Sequence, residues 1–181
     1  MMEYQIIYAD PPWDSRKSGW GGYKHYPTMK TPDICALDVG SIAGDNAMLF
    51  IWTIGCHLDT AIKVIKSWGF NYKTIAFVWV KQYRNGVLYS GLGHWTKQGT
   101  EICLLATKGK PHRVSASVRQ IILEPITIHS KKPTQTRERI IELCGDLPRI
   151  ELFARQKING WDCWGNEVES DIDLNTIKPM F

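Results

Sequence analysis

Short apolar runs recur along the chain between polar, glycine-rich segments. Each run is rich in β-branched and aromatic residues and ends at turn-forming residues, which is typical of a buried strand. The pattern predicts strands over residues 4–9, 47–52, 74–80, 101–107, 118–123 and 149–154. The first of them stops abruptly at Asp10-Pro11-Pro12, a rigid turn that does not continue a strand.

Apolar residues at helical spacing separate several of these strands. One apolar face runs from Leu58 to Trp68, and Gly69 supplies the stop. A second helix is predicted over 134–144, and Thr31-Pro32-Asp33 begins another, with the threonine as N-cap. Strands that alternate with helices are typical of a doubly wound α/β sheet, in which ligands bind beyond the carboxyl ends of the strands.

The chain has 181 residues, of which 44% are hydrophobic, and this is enough for one core. We therefore predict a single domain over 1–169, followed by a C-terminal tail over 170–181. Every apolar run is far shorter than the ~20 residues of a spanning helix, and a signal-peptide core is lacking, so a cytoplasmic protein without a membrane partner is expected. The five cysteines and five histidines are dispersed without metal-ligand spacing, so no metal is expected.

The Asp10-Pro11-Pro12-Trp13 segment combines groups that suit one kind of chemistry. The N6 amine of adenine is a poor nucleophile because its lone pair is delocalised into the ring. Two acceptors aimed at the amine hydrogens, the Asp10 carboxylate and the Pro11 carbonyl, would favour a tetrahedral nitrogen. Pro11 and Pro12 hold the turn, and Trp13 offers a ring face to a base. Taken alone, the tetrapeptide also fits a stiff strand-ending turn with a core tryptophan.

Two polar loops follow strands near this corner, one over 15–30 and one over 81–99. Basic residues in such loops bind phosphates without choosing a sequence, although a solvated basic surface is the alternative for each residue taken singly. The net charge of +4 is compatible with an anionic partner but decides little. For contact with nucleic acid we single out Arg16, Lys17, Lys24 and Lys30 in the first loop, and Lys108, Lys110, Arg113 and Arg119 beside the second.

Seven motifs follow one another in a fixed order. They are Tyr8-Ala9-Asp10-Pro11-Pro12-Trp13, Tyr26-Pro27-Thr28-Met29, Phe50-Ile51-Trp52-Thr53, Gly91-Leu92-Gly93-His94-Trp95, His129-Ser130-Lys131-Lys132-Pro133, Ile150-Glu151-Leu152-Phe153-Ala154-Arg155 and Gly160-Trp161-Asp162-Cys163-Trp164-Gly165-Asn166-Glu167. Together they resemble the MT-A family of adenine-N6 methyltransferases, which includes the eukaryotic mRNA adenosine methyltransferase and bacterial and phage DNA enzymes. The resemblance implies a Rossmann-like class I methyltransferase fold. Such a fold has a mostly parallel seven-stranded sheet with helices on both faces, and here the catalytic motif precedes the cofactor motif.

The resemblance also implies a cofactor, S-adenosylmethionine. By family position, Asn166 and Glu167 hold its ribose hydroxyls, and an amide with a carboxylate suits a vicinal diol. Arg155 matches a cofactor-side position, Lys132 matches a lysine near the methionine carboxylate, and Asp10 lies beside the cofactor as well as the substrate.

Four further residues in the matched motifs are candidates for contact with the substrate. Tyr26 and Met29 are expected to line the target pocket, unless they anchor the first loop. His94 and Trp95 are expected to contact the base, and a structural role in the second loop is an equal alternative.

The implied activity is transfer of a methyl group to N6 of adenine in DNA, with relaxed or short sequence preference, because no region is left for a separate target-recognition domain. DNA is favoured over RNA by analogy with the compact bacterial and phage members. An RNA adenosine methyltransferase stays open, as do a catalytically silent nucleic-acid-binding subunit and a methyltransferase for protein or small-molecule amines. The intact catalytic and ribose motifs disfavour the silent subunit, and the basic loops disfavour the amine substrates. A homodimer is compatible with the sequence.

Overall fold

The computed structural model describes residues 3–14, 28–127 and 131–174. Its strands are β1 (Tyr4–Ala9), β2 (Ala43–Thr53), β3 (Asn71–Gln82), β4 (Thr100–Lys108), β5 (Ile121–Pro125), β6 (Arg149–Leu152) and β7 (Asp162–Trp164). Its α-helices are α1 (Thr31–Cys35), α2 (Val39–Ile42), α3 (Leu58–Ser67) and α4 (Gln135–Cys144). Within these ranges, no helix combines the length and the apolar character needed to cross a membrane.

The strands form one seven-stranded sheet in the order β5-β3-β4-β2-β1-β6-β7. β1 pairs in parallel with β2 and β6, β3 pairs in parallel with β5, and β6 pairs in parallel with β7. β4 is antiparallel to both of its neighbours, β2 and β3. The carboxyl ends of the parallel strands and the amino end of β4 therefore meet at one edge of the sheet, which we call the carboxyl edge.

Helices cover both faces of the sheet. One core joins α1, α2 and α3 to the strand residues Ile7 and Ala9. The other joins α4 to Ile6 and Tyr8. Successive residues of β1 therefore point into opposite cores, as the pleat of a strand requires. The predicted Rossmann-like fold with a mostly parallel sheet is confirmed.

Some element boundaries differ from those predicted from the sequence pattern, because backbone conformation and strand pairing set them. The last predicted strand ends at Leu152 because Phe153 has a φ of 60°, in the left-handed region. The predicted strand over 118–123 is wrong at its start, since β5 begins at Ile121, where pairing with Val78 begins. β7 and α2 are too short to give a periodic signal of their own. Thr31 is the first residue of α1 rather than its N-cap.

The first residues of the predicted tail pack against the domain. The Asp171 backbone N–H donates to the Cys163 carbonyl at 2.8 Å, and the Cys163 backbone N–H donates to the Asp171 carboxylate at 2.9 Å. Ile172 and Leu174 contact the core on the α1 side. Residues 170–174 therefore lie against β7, while 175–181 lie outside the described residues.

Candidate active site

The Asp-Pro-Pro-Trp corner leaves the sheet at the middle of the carboxyl edge. β1 lies between β2 and β6, so the chain after Ala9 must exit between their ends. The Trp13 backbone N–H donates to the Pro11 carbonyl, and the Met29 backbone N–H donates to the Pro12 carbonyl, each at 2.9 Å. These bonds fix the turn from both sides and leave each carbonyl oxygen a second lone pair.

The Trp13 side chain is held in place at its edge and at its face. Its indole N–H donates to the Trp52 carbonyl at 3.0 Å. Its ring stacks on the buried His57 imidazole, with centroids 6.4 Å apart and planes at 20°. The indole orientation is therefore set before any ligand arrives.

Four side chains of alternating charge form a row beside the corner. The Lys132 ammonium lies 2.6 Å from Asp10 Oδ2 and 3.3 Å from Glu101 Oε2. The Lys81 ammonium lies 2.6 Å from Glu101 Oε1. Lys132 is 10% exposed and Asp10 is 24% exposed, so water screens the pair only in part. We call Asp10, Lys132, Glu101 and Lys81 the charge row.

Burial and neighbours move the pKa values in this row in different directions. Burial raises the pKa of Asp10, Glu101 adds to the rise, and Lys132 opposes it. Burial alone would also raise the pKa of Glu101, but Lys132 and Lys81 outweigh it, so the pKa falls. Burial would lower the pKa of Lys132, but Asp10 and Glu101 outweigh it, so the pKa rises. Glu101 is thus the firmly ionised partner of the lysines, and Asp10 is the carboxyl that protonates more easily.

Buried aromatic side chains next to the charge row support it. The Lys132 ammonium lies 5.8 Å from the centre of the Trp52 ring, whose indole N–H donates to the Tyr8 hydroxyl at 2.7 Å. Arg137 lies over the Tyr8 ring at 5.5 Å and binds both Glu151 carboxylate oxygens, at 2.8 and 2.6 Å. A network with its polar groups paired in this way is rigid, so it holds the corner in one geometry.

Arg155, Asn166 and Glu167, which the resemblance assigns to the cofactor, lie at the ends of β6 and β7. The Ala154 backbone N–H donates to the Trp164 carbonyl at 3.0 Å, which joins the turn after β6 to the end of β7. Arg155 Nε lies 3.6 Å from Glu167 Oε1, and both side chains are at least a third exposed. Arg155 also lies close enough to Asp10 to lower the pKa of that carboxyl. The segment predicted to bind ribose and the Asp-Pro-Pro-Trp corner therefore share one edge.

Gly165 makes the approach between these two segments possible. A Cβ added there would lie 2.3 Å from the Ala154 carbonyl oxygen, which is a main-chain atom. Gly165→Ala should therefore lower the free energy of unfolding by about 1–3 kcal/mol and weaken cofactor binding, because the segment carrying Asn166 must shift. Thermal unfolding and cofactor titration measure the two effects. Gly55→Ala is the matched control, since a Cβ there meets nothing within 4 Å; equal behaviour of the two variants would contradict this explanation.

The predicted substrate contacts are distributed unevenly. Met29 lies at the corner, bonded to Pro12 and bridged to Trp13, while His94 and Trp95 are exposed on the connection between β3 and β4. Arg16, Lys17, Lys24 and Tyr26 fall outside the described residues.

Two of the other basic residues lie at the opposite edge of the sheet. Arg113 precedes Val114, whose N–H donates to Leu143 at the end of α4. Lys108 ends β4, and its ammonium donates to the Gly40 and Ala43 carbonyls at 3.1 and 2.9 Å. The structure therefore does not bring Arg113 or Lys108 to the catalytic corner.

Sequence reasoning missed Glu101, Lys81 and the Trp52 ring as parts of the site. Glu101 is the second residue of β4, and the start of a strand lies at the carboxyl edge only when that strand is reversed. Residue patterns do not give strand direction. The Phe50-Ile51-Trp52-Thr53 motif was the available signal for Trp52.

Comparisons with known proteins agree with this arrangement. The MT-A70 family model matches residues 4–167. Type II methyltransferase M.MunI from Mycoplasma sp is 38% identical, over 96% of this chain and 82% of its own length. The N(6)-adenosine-methyltransferase MT-A70-like protein of Drosophila melanogaster is 28% identical and the catalytic subunit METTL3 of Homo sapiens is 26% identical, each over 92% of this chain. This chain covers 27% and 28% of the length of those two relatives.

Proposed function

Because the chain belongs to the MT-A70 family, a family of methyltransferases, we propose that it transfers a methyl group from S-adenosylmethionine to N6 of adenine in DNA. The observation that carries the proposal is the position of Asp10, held at the carboxyl edge by Lys132 and beside the residues matched to cofactor binding. The family predicted from the seven motifs is confirmed.

DNA is the proposed polymer because of the relative that this chain matches along most of both lengths. M.MunI is a type II methyltransferase, and the match covers 82% of it. The adenosine methyltransferases from Drosophila and human match over about a quarter of their lengths and at lower identity. RNA is therefore included as an alternative substrate in the test below.

We assign the N6 amine to the open side of the corner. Lys132 engages Asp10 Oδ2, so Oδ1 is the oxygen we assign to one N6 hydrogen. The Pro11 carbonyl, with its second lone pair, accepts the other hydrogen. Two fixed acceptors favour a tetrahedral nitrogen over the planar, conjugated one, and this lowers the barrier because the acceptors need no reorganisation.

Lys132 also acts on the Asp10 carboxyl in this arrangement. Its ammonium lowers the pKa of Asp10, against the burial that raises it. Glu101, which Lys81 also faces at 2.6 Å, holds the lysine in place. The cation therefore favours the charged form of a carboxylate that must accept a hydrogen bond.

The residues at the ends of β6 and β7 fit S-adenosylmethionine. Asn166 and Glu167 offer an amide and a carboxylate for the ribose diol, and Arg155 and Lys132 offer cations for the methionine carboxylate. The contact between Arg155 and Glu167, at 3.6 Å and partly exposed, is weak enough to exchange for a ligand. When bound, S-adenosylmethionine supplies an electrophilic methyl group.

The direct test is an incubation of the purified chain with labelled S-adenosylmethionine and one polymer at a time, followed by digestion to nucleosides. Unmodified duplex DNA, single-stranded DNA and RNA are the three polymers. We expect N6-methyladenine from duplex DNA. If no polymer yields it while a titration shows bound cofactor, the activity is refuted; if RNA alone yields it, DNA is the wrong polymer.

A further inference from the structure

The connection between β3 and β4 carries a tryptophan that the fold does not use. Trp95 is 99% exposed. Just inside the tip, Gly91 and Gln98 exchange two backbone hydrogen bonds, at 2.8 and 3.0 Å. The tip is tight, since a Cβ on Gly93 would lie 2.1 Å from the Thr96 carbonyl oxygen. A closed turn therefore holds the indole in solvent.

The charge of this connection favours a nucleic acid as the partner of that indole. The connection, residues 83–99, contains Arg84 and Lys97 but neither aspartate nor glutamate. Cations without acidic neighbours attract phosphates, and an exposed ring offers every base a face on which to stack.

The base of the connection is part of the active site. The Lys81 backbone N–H donates to the Gly99 carbonyl at 2.9 Å, and the Lys81 ammonium belongs to the charge row. Trp95 precedes Glu101 by six positions, so the Cα atoms of these two residues lie at most about 20 Å apart. A distance of this size spans the nucleotides next to an adenine bound at Asp10.

Adenine in a duplex presents a problem that such a residue can solve. The N6 amine is paired and stacked, so the nucleotide must be extruded before it reaches Asp10, and extrusion leaves a gap in the stack. An aromatic ring that enters the gap replaces part of the lost stacking and delays the return of the base.

We propose that Trp95 is the residue that enters the DNA stack beside the target adenine and fills the space which that base leaves. The proposal rests on the proposed function, since it names the duplex as the form of the substrate that needs this residue. It assigns Trp95 to base extrusion and not to chemistry.

The test compares Trp95→Ala, Trp95→Phe and the wild type on three matched substrates. One is an ordinary duplex, one places an abasic site opposite the target adenine, and one is the single strand. On the ordinary duplex, Trp95→Ala should lose at least roughly tenfold in kcat/KM, which is the scale of one stacking contact, and Trp95→Phe should keep most activity. On the single strand, where no duplex stack has to be opened, Trp95→Ala should stay within about twofold of the wild type, and on the abasic duplex, where stacking but not pairing is lost, its loss should be smaller than on the ordinary duplex.

A binding readout separates this proposal from the activity itself. A duplex with 2-aminopurine at the target position should brighten with the wild type and brighten much less with Trp95→Ala. Leu92→Ala, which removes another exposed apolar side chain of the same connection, should leave both readouts unchanged. The fluorescence result stands even if no polymer is methylated, so the failure of one proposal is distinguishable from the failure of the other.

Three outcomes would overturn the role of Trp95. The first is full activity of Trp95→Ala on the ordinary duplex. The second is an equal loss on all three substrates, which points to general binding. The third is a change of oligomeric state in Trp95→Ala, measured by light scattering, which assigns the indole to an interface with a second copy of the chain.

Discussion

Replacing Asp10 with Asn should lower kcat for N6-methyladenine formation by about a thousandfold or more. The amide keeps the shape of the side chain and one acceptor oxygen, but it removes the charge that strengthens the hydrogen bond from the N6 amine. Lys132 keeps a counter-ion in Glu101, so the fold should be maintained. Single-turnover kinetics on duplex DNA, with cofactor saturating, measures the effect at the chemical step.

The control for this variant is Asp33→Asn, which changes an exposed carboxylate in the first turn of α1. It should match the wild type in turnover and in thermal unfolding. Retention of more than about a tenth of the turnover by Asp10→Asn would refute the assigned role of the carboxylate.

Replacing Lys132 with Met should change the pH dependence of the reaction as well as its rate. The variant leaves Asp10 and Glu101 in one partly buried place without the cation between them. Burial and Glu101 already raise the pKa of Asp10, and only the cations oppose this, so the pKa must rise further. The acid limb of the kcat profile should therefore move to higher pH by on the order of 1–3 units, with the loss greatest at low pH and partial recovery at high pH.

Lys131→Met is the matched control, since Lys131 is exposed on the same segment. Its pH profile should overlay that of the wild type. A Lys132→Met profile that drops in height without moving along the pH axis would contradict the electrostatic role. Cofactor titration of the same variant tests the second assignment of Lys132, to the methionine carboxylate, because a lost cation there weakens binding at every pH.

The sequence indicated the layered α/β fold and the catalytic corner because both depend on local patterns. Apolar runs and helical spacing report burial directly, and Asp10-Pro11-Pro12-Trp13 is one unbroken segment. β7 was not predicted because a strand of three residues is too short to show a hydrophobic period. The strand predicted to run to Ala154 ended early because a left-handed φ at Phe153 has no signature in a non-glycine residue.

The charge row could not be predicted in the same way. Lys132 is separated from Asp10 by 122 positions, and Glu101 reaches Lys132 because β4 runs against its neighbours. The sequence position of a basic residue was misleading for the same reason. Lys108 sits at the far end of that reversed strand, so its place in the sequence near the second loop did not put it near the corner.

The reversed strand also allows the connection between β3 and β4 to be exchanged for another segment. Because β3 and β4 are antiparallel neighbours, both ends of the 83–99 connection are anchored on adjacent strands of one sheet, and such strands lie about 5 Å apart. The entropy of closing such a loop grows slowly, by about 0.6 kcal/mol for each doubling of its length. Longer or shorter segments can therefore be grafted between Gln82 and Thr100 at small cost in stability, and target choice could diversify there by exchange of a single segment while the chemistry beneath it stays the same.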